Sequence, residues 1–110
     1  MSEPSPLARL RVPPRARRGE VIEIRLLIQH AMENGFRRDA LGRAAARNII
    51  HLLVARYDGR EILRAELGSG IAANPYFAFF TRATASGRVD IDWEDDAGIR
   101  GSVSAAIEVA

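Results

Sequence analysis

Apolar and polar residues alternate along most of the chain, which is the pattern of β-strands with one buried face. The clearest stretch is residues 88–94, where valine, isoleucine and tryptophan alternate with charged residues. Residues 99–109 alternate in the same way, and residues 95–98 between them supply turn-forming aspartates and a glycine. These two stretches are therefore predicted to form a hairpin, with Trp93 on its inward face.

Five further stretches have the composition of strands. Asp58-Gly59 is typical of a type I′ turn, and it joins two of them into a second hairpin. The five stretches are Leu7–Val12, Val21–Gln29, Asn48–Tyr57, Arg60–Leu67 and Pro75–Ala83. Because turn residues separate most of these short strands and no long run keeps a helical period, the sequence predicts an all-β fold, an immunoglobulin-like antiparallel β-sandwich of about seven strands.

Length and composition fit one domain. The chain has 110 residues, of which 47% are apolar and 27% are charged, as in ordinary globular proteins. We expect residues 1–9 to form a flexible N-terminal arm and residues 10–110 to form the sandwich. The basic run Arg9–Arg18 contains two prolines and no aromatic residue, which is typical of a solvated arm. No nucleic acid is expected as a partner, and no apolar stretch is long enough for a membrane.

Several kinds of chemistry are excluded by composition. The chain has no cysteine, so it cannot form a disulfide, a thiolate metal site or a cysteine nucleophile. All 16 basic residues are arginines, which excludes a lysine Schiff base. His30 and Glu33 would make the best acid–base pair, yet one histidine and one carboxylate do not make a site, and His51 is expected to be a packed or edge residue of a strand. We expect no enzyme activity, no cofactor and no metal, and the acidic residues 90–96 are interpreted as a solvated face.

Two regions are candidates for a working surface. Residues 30–47 are predicted to form a long loop, and long loops in compact domains are commonly functional. In the second region, residues 74–80, alternation places Phe77 and Phe79 on one strand face and Tyr76 and Phe80 on the other. Because a sandwich buries only one face of each strand in its own core, the second face is expected to pack on a loop of the same chain or on a partner protein.

Several phrases of the sequence resemble the SoxZ family, in order and at family spacing from about Leu10 to the last residue. The phrases are His30-x-Met32-Glu33-x-Gly35-x-Arg37-x-Asp39, then Arg47-x-Ile49-Ile50, then Ile71-x-Ala73-Asn74-Pro75-Tyr76-x-x-Phe79-Phe80, and Ser86-Gly87 with Trp93-x-Asp95-Asp96-x-Gly98. The family usually has proline where this chain has Ala31 and Ala46, a difference that affects the shape of the loop.

The resemblance implies a function. SoxZ is the Z subunit of the SoxYZ thiosulfate carrier, and SoxY carries the sulfur intermediate on a cysteine near the end of a flexible arm. A chain similar to SoxZ is expected to be the non-catalytic subunit, to form a heterodimer with SoxY and, through SoxY, to meet the other Sox enzymes. It is also expected in the periplasm, co-exported with SoxY, since it shows no signal peptide of its own.

The residues expected to contact SoxY come from the long loop and from the aromatic strand. They are His30, Met32, Glu33, Arg37, Arg47, Asn74, Tyr76, Phe77, Phe79 and Phe80. The arginines among them suit bidentate bonds to partner carboxylates, or attraction of the anionic sulfur cargo. The alternatives are a stand-alone immunoglobulin-like binding or adhesion module and, less favoured, an enzyme that uses His30 and Glu33. A homodimer of the isolated chain through the same strand stays open.

Overall fold

The computed structural model describes residues 7–110, and these residues form eight strands in two sheets with no helix. The strands are β1 (Ala8–Arg11), β2 (Arg15–Ala16), β3 (Val21–Ile28), β4 (Ile50–Tyr57), β5 (Arg60–Glu66), β6 (Tyr76–Arg82), β7 (Gly87–Asp95) and β8 (Arg100–Val109). One sheet has three strands in the order β1-β3-β6, and the other has five in the order β2-β8-β7-β4-β5. The predicted all-β, immunoglobulin-like sandwich is confirmed, with one strand more than expected.

The core lies between the two sheets and is built by the alternation seen in the sequence. On β3, Ile24 and Leu26 are fully buried, while the residues between and beside them face outward. On β7, Ile91 is fully buried and Trp93 is 6% exposed, which confirms the predicted core tryptophan. Burial of each such side chain contributes about 1.5–3 kcal/mol relative to leaving it in water.

Of the described residues, none belongs to a helix that is long and apolar enough to cross a bilayer.

Trp93 is accommodated by a glycine on the neighbouring strand. Gly101 of β8 lies directly opposite Trp93 of β7. A Cβ atom on Gly101 would lie 2.2 Å from Cζ2 of the indole, which is far inside van der Waals contact. Gly101 therefore provides the space that the ring occupies.

The basic run Arg9–Arg18 does not form a solvated arm, so that expectation is wrong. Its first residues belong to β1, which pairs antiparallel with β3, and Arg15 and Ala16 form β2, which pairs parallel with β8. Pro13 and Pro14 carry the chain from one sheet to the other, where missing amide donors cost least. Most of the expected arm 1–9 lies outside the described residues, and strand pairing begins at Ala8, two residues before the expected domain boundary.

The hairpin of β7 and β8 also differs in one detail from the expectation. Ile99 alternates in phase with the inward residues of β8 in the sequence, yet it lies in the turn before the strand and is 63% exposed. The connection between the two strands, residues 96–99, keeps Ile99 out of the core, because β8 begins only at Arg100.

Candidate functional site

The predicted loop between β3 and β4 contains no strand, but it is ordered by bonds within itself. Glu33 and Asn48 form an isolated antiparallel bridge at its base. Near its tip, the Asp39 carboxylate accepts the amide N–H groups of Leu41 and Arg43, each at 2.9 Å. These bonds fix the tip locally, as aspartate does in many turns.

His30, at the start of the loop, is held by both of its ring nitrogens. Nδ1 accepts the amide N–H of Met32 at 2.9 Å, and Nε2 lies 3.1 Å from Oδ2 of Asp95. Because Nδ1 accepts, the neutral ring carries its proton on Nε2 and donates it to the carboxylate. The side chains of His30 and Asp95 are only 15% and 6% exposed. His30 thus holds the loop against the end of β7 and has no free ring nitrogen for acid–base chemistry.

Asp95 is the centre of this arrangement. Its Oδ1 accepts the amides of Ala97 at 3.0 Å and Ile99 at 2.9 Å, while Oδ2 receives His30. Burial acts to raise the pKa of the Asp95 carboxyl, but the hydrogen bonds from His30 and from these backbone amides outweigh it and hold the pKa below its ordinary value. The carboxylate therefore stays ionised and fully bonded at one end of the sandwich.

Arg47, at the end of the loop, is bound to Asp96, the residue that follows Asp95. Its Nε donates to Oδ2 of Asp96 at 2.9 Å and its Nη2 donates to Oδ1 at 3.2 Å, a bidentate pair. Asp96 Oδ2 also accepts the amide of Ile49 at 3.2 Å. Burial acts to raise the pKa of Asp96, and the bonds from Ile49 and Arg47 lower it below its ordinary value. The loop is thereby attached to the β7–β8 turn at its end as well as at its start.

Asn74, in the segment before β6, is hydrogen-bonded to the backbone of His30. Its amide N–H donates to the His30 carbonyl at 2.7 Å, and its Oδ1 accepts the His30 amide at 3.0 Å. The backbone of Asn74 has φ +50°, a left-handed conformation that asparagine tolerates better than most residues. We call His30, Arg47, Asn74, Asp95 and Asp96 the end cluster. The motif residues of three distant segments meet there, and each has its partner within the chain.

The other loop residues of the expected contact set have different positions. Met32 is 5% exposed, lies in the core and accepts the Ile50 amide on its sulfur at 3.3 Å. Glu33 lies 3.0 Å from Nε of Arg37, and the hydrogen bonds from Arg37 and from the Gly35 amide lower the pKa of Glu33. The side chain of Arg37 is 70% exposed. Contact of these residues with a partner stays a prediction.

The aromatic strand divides as the alternation predicted. Phe77 and Phe79 are half-buried against the core, whereas Tyr76 is 58% and Phe80 is 66% exposed. Leu27 lies directly opposite Tyr76 on β3 and is 42% exposed; Val21, at the other end of β3, is 55% exposed. We call Val21, Leu27, Tyr76 and Phe80 the aromatic face; it is the outer face of the three-stranded sheet. Across the described chain, no loop covers it.

Sequence reasoning missed two features of the site. The interpretation of residues 90–96 as a solvated face is wrong at Asp95, which is buried. Its position continues the inward phase of Val89, Ile91 and Trp93, and that phase was the available signal. The loop also exposes Phe36 and Leu41, by 77% and 76% of their surface. No pattern of the sequence indicated this exposure, because a loop has no fixed side-chain period.

The comparison with protein families decides which family the chain represents. A sequence model described as "Sulphur oxidation protein SoxZ" matches residues 10–106. The chain belongs to the SoxZ family. This membership gives it a role in Sox sulfur oxidation, as the resemblance of the motifs implied. Comparison with curated proteins gives no significant match.

Solved structures share the fold of this SoxZ family member at low sequence identity. The sulfur carrier protein SoxY from Chlorobium limicola f thiosulfatophilum matches with a TM-score of 0.65 and 7% identity, covering 98% of this chain and 83% of that one. The superoxide reductase (neelaredoxin) from Ignicoccus hospitalis gives 0.67 and 14%, covering 99% and 82%. A putative superoxide reductase from Thermotoga maritima gives 0.70 and 14%, covering 94% and 85%. These likenesses show the fold alone.

Proposed function

We propose that this chain is the non-catalytic subunit of a SoxYZ sulfur carrier complex. In this role it binds SoxY as a heterodimer and helps present the cysteine arm of SoxY to the other Sox enzymes. The observation that supports the proposal most is the aromatic face, where Tyr76 and Phe80 are exposed on the same face of β6 and Leu27 lies opposite Tyr76. Large apolar side chains exposed together on one sheet face mark protein interfaces, and aromatic side chains are enriched at the centres of such interfaces.

The division of labour follows from the side chains that this chain has. Without cysteine it offers no thiol to hold sulfur covalently, so the covalent step belongs to the partner. Its histidine in the end cluster already uses both ring nitrogens inside the chain. A role in binding and positioning is therefore better supported than a role in catalysis.

Location is part of the same proposal. We place the complex in the periplasm, reached by export of this chain together with SoxY. This part rests on the family resemblance alone. It requires that the two subunits associate before export, and therefore that the interface holds without the other Sox enzymes.

Co-expression with the SoxY of the same host tests the proposal. The native chain should co-purify with SoxY at a 1:1 ratio, whereas a variant carrying Tyr76→Asp and Phe80→Asp should not, because two carboxylates would have to be buried in an apolar contact. Ile99→Asp is the matched control, since Ile99 is also a large exposed apolar residue but lies in the β7–β8 turn. Circular dichroism checks that each variant stays folded. If the native chain failed to bind SoxY, the hypothesis of a stand-alone binding or adhesion module would be better supported.

A further inference from the structure

The aromatic face has a charged row across its middle. In the register of the three-stranded sheet, Arg11 of β1 lies opposite Arg25 of β3, and Arg25 lies opposite Ala78 of β6. On one side of this row lie Leu27 and Tyr76, directly opposite each other. On the other side lies Phe80, opposite Glu23 of β3. Toward β6 the row is thus flanked by apolar side chains on both sides, and toward β1 the next row carries Arg9, opposite Leu27.

The two arginines of this row lower the stability of the isolated chain. Like charges directly opposite on neighbouring strands repel each other and destabilise a sheet. Arg25 is partly compensated, because its Nε lies 2.5 Å from a carboxylate oxygen of Glu23. Arg11, by contrast, forms no ion pair with any described residue. A pair of this kind is unfavourable in water and becomes favourable when a carboxylate comes within reach of both guanidinium groups.

The third position of the row leaves room for such a carboxylate. Ala78 is exposed and ends at Cβ, between the larger side chains of Tyr76 and Phe80 on the same strand face. In the register Ala78 is next to Arg25, and Arg11 is next to Arg25 on its other side, so a carboxylate above Ala78 would meet Arg25 first and would meet Arg11 through the length of the Arg11 side chain. The surrounding apolar side chains would exclude water on binding and strengthen the charge interaction.

We propose that the row of Arg11, Arg25 and Ala78 receives a carboxylate side chain of SoxY, and that this requirement selects SoxY over a second copy of this chain. The inference rests on the proposed function, because it takes the aromatic face to be the SoxY interface. It adds the chemistry of the partner surface, which is apolar with an acidic residue near its centre.

Charge explains why a second copy is the poorer occupant. The outer face of the three-stranded sheet has four exposed arginines, Arg9, Arg11, Arg25 and Arg82, against one glutamate, Glu23. That glutamate is already bound to Arg25 of its own chain. A two-fold dimer through this face would bring the two basic rows together with no free carboxylate between them.

Binding of purified SoxY at low and high salt tests the inference. Arg11→Gln with Arg25→Gln should weaken SoxY binding by roughly tenfold or more at low salt and should flatten its salt dependence, because charge pairs across an interface are screened by salt. Arg60→Gln with Arg64→Gln is the matched control. It removes the same charge from β5 on the other sheet and should bind as the native chain does.

A second variant separates binding from folding. Ala78→Glu would place a carboxylate in the row within the chain itself. It should raise the midpoint of thermal unfolding, because it relieves the repulsion of the two arginines, and should weaken SoxY binding roughly tenfold or more. The native chain alone should sediment as a monomer.

The outcomes distinguish the two proposals. If the native chain binds SoxY and the double glutamine variant binds equally well with the same salt dependence, the inference is wrong and the proposed function stands. If the native chain does not bind SoxY, both are wrong. A native homodimer that Phe80→Asp abolishes would overturn the selection against a second copy.

Discussion

The two outer faces of the sandwich differ in how many of their charged and apolar side chains find partners within the same chain. On the five-stranded sheet, the Nη1 atom of Arg56 lies 3.0 Å from Oδ2 of Asp92, and Glu94 accepts Arg100 at 2.6 Å and His51 at 3.0 Å. The bonds from Arg100 and His51 lower the pKa of Glu94 below its ordinary value. On the three-stranded sheet, aromatic rings and arginines stand in water with few partners.

This difference indicates which face is stabilised by contacts within the chain and which face has surface left for a partner. Most charged side chains of the five-stranded face have ion-pair partners along or across its strands, so little of its charge is left uncompensated. The three-stranded face leaves apolar area and positive charge uncompensated. Substitutions beneath or beside the five-stranded face should therefore change the stability of the isolated chain, and substitutions on the aromatic face should change association.

The largest effect is expected beneath the five-stranded face, at the contact of Gly101 with Trp93. Gly101→Ala should destabilise the isolated chain by about 3 kcal/mol, because the new methyl group would overlap the indole and force the ring or the strand to move. Urea unfolding measures the change. Gly68→Ala, where a Cβ would meet nothing within 4 Å, is the control and should be nearly neutral. Equal stability of the two variants would show that the ring has room elsewhere.

A smaller loss is expected at the end cluster. Asp95→Asn should cost about 1–3 kcal/mol, because an amide can accept at only one of the two positions where the carboxylate now accepts, and its NH₂ group would face another donor. Asp90→Asn changes a half-exposed carboxylate 3.9 Å from Arg88 and should have little effect. If both variants unfold at the same urea concentration, Asp95 does not stabilise the loop.

The part of the pH dependence that comes from Asp95 and Asp96 should be smaller than the effect of the substitution, and its sign is fixed. Asp95 and Asp96 both have a lowered pKa in the folded chain, so they contribute stability above the ordinary aspartate pKa of about 4. That contribution is lost as the pH falls through their lowered folded values. Urea unfolding at neutral and acidic pH should show the native chain losing stability in acid, and Asp95→Asn losing less. A native chain that gains stability in acid would contradict this account.

The smallest effect is expected on the five-stranded face itself. The side chains of Arg56 and Asp92 are 39% and 51% exposed, and exposed ion pairs contribute little. Arg56→Met should change the free energy of unfolding by about 0.5 kcal/mol or less and should leave SoxY binding unchanged. A large loss of SoxY affinity in this variant would place the SoxY interface on the five-stranded sheet, and would contradict the assignment of the interface to the three-stranded sheet.

The fold was predictable where the alternation was long. Residues 87–95 place Val89, Ile91 and Trp93 inward in the structure as in the pattern, and the turn at Asp58-Gly59 joins β4 and β5 as expected. The two-residue strand β2 was not predictable, because two residues between prolines and arginines show no period. Its pairing with β8 depends on the crossing of the chain between the sheets, which is a tertiary effect.

The candidate site was predictable in part. The phase of residues 76–80 separates exposed Tyr76 and Phe80 from half-buried Phe77 and Phe79, as the structure has it. The meeting of His30 with Asp95 was not predictable, because 65 residues separate them and no local rule links a loop histidine to a turn aspartate. The charged row was also hidden, since it requires the register of three strands and not the pattern of one.

The parallel pairing of β2 with β8 has a mechanical consequence. Arg15 lies beside Glu108 and Ala16 beside Val109, and the amide of Arg18 donates to the carbonyl of Ala110. Tension that pulls β2 toward its N-terminal side and β8 toward its C-terminal side would load these bonds together in shear, rather than peel them apart one after another. Under such traction, this corner of the domain should resist extension more than an antiparallel hairpin would.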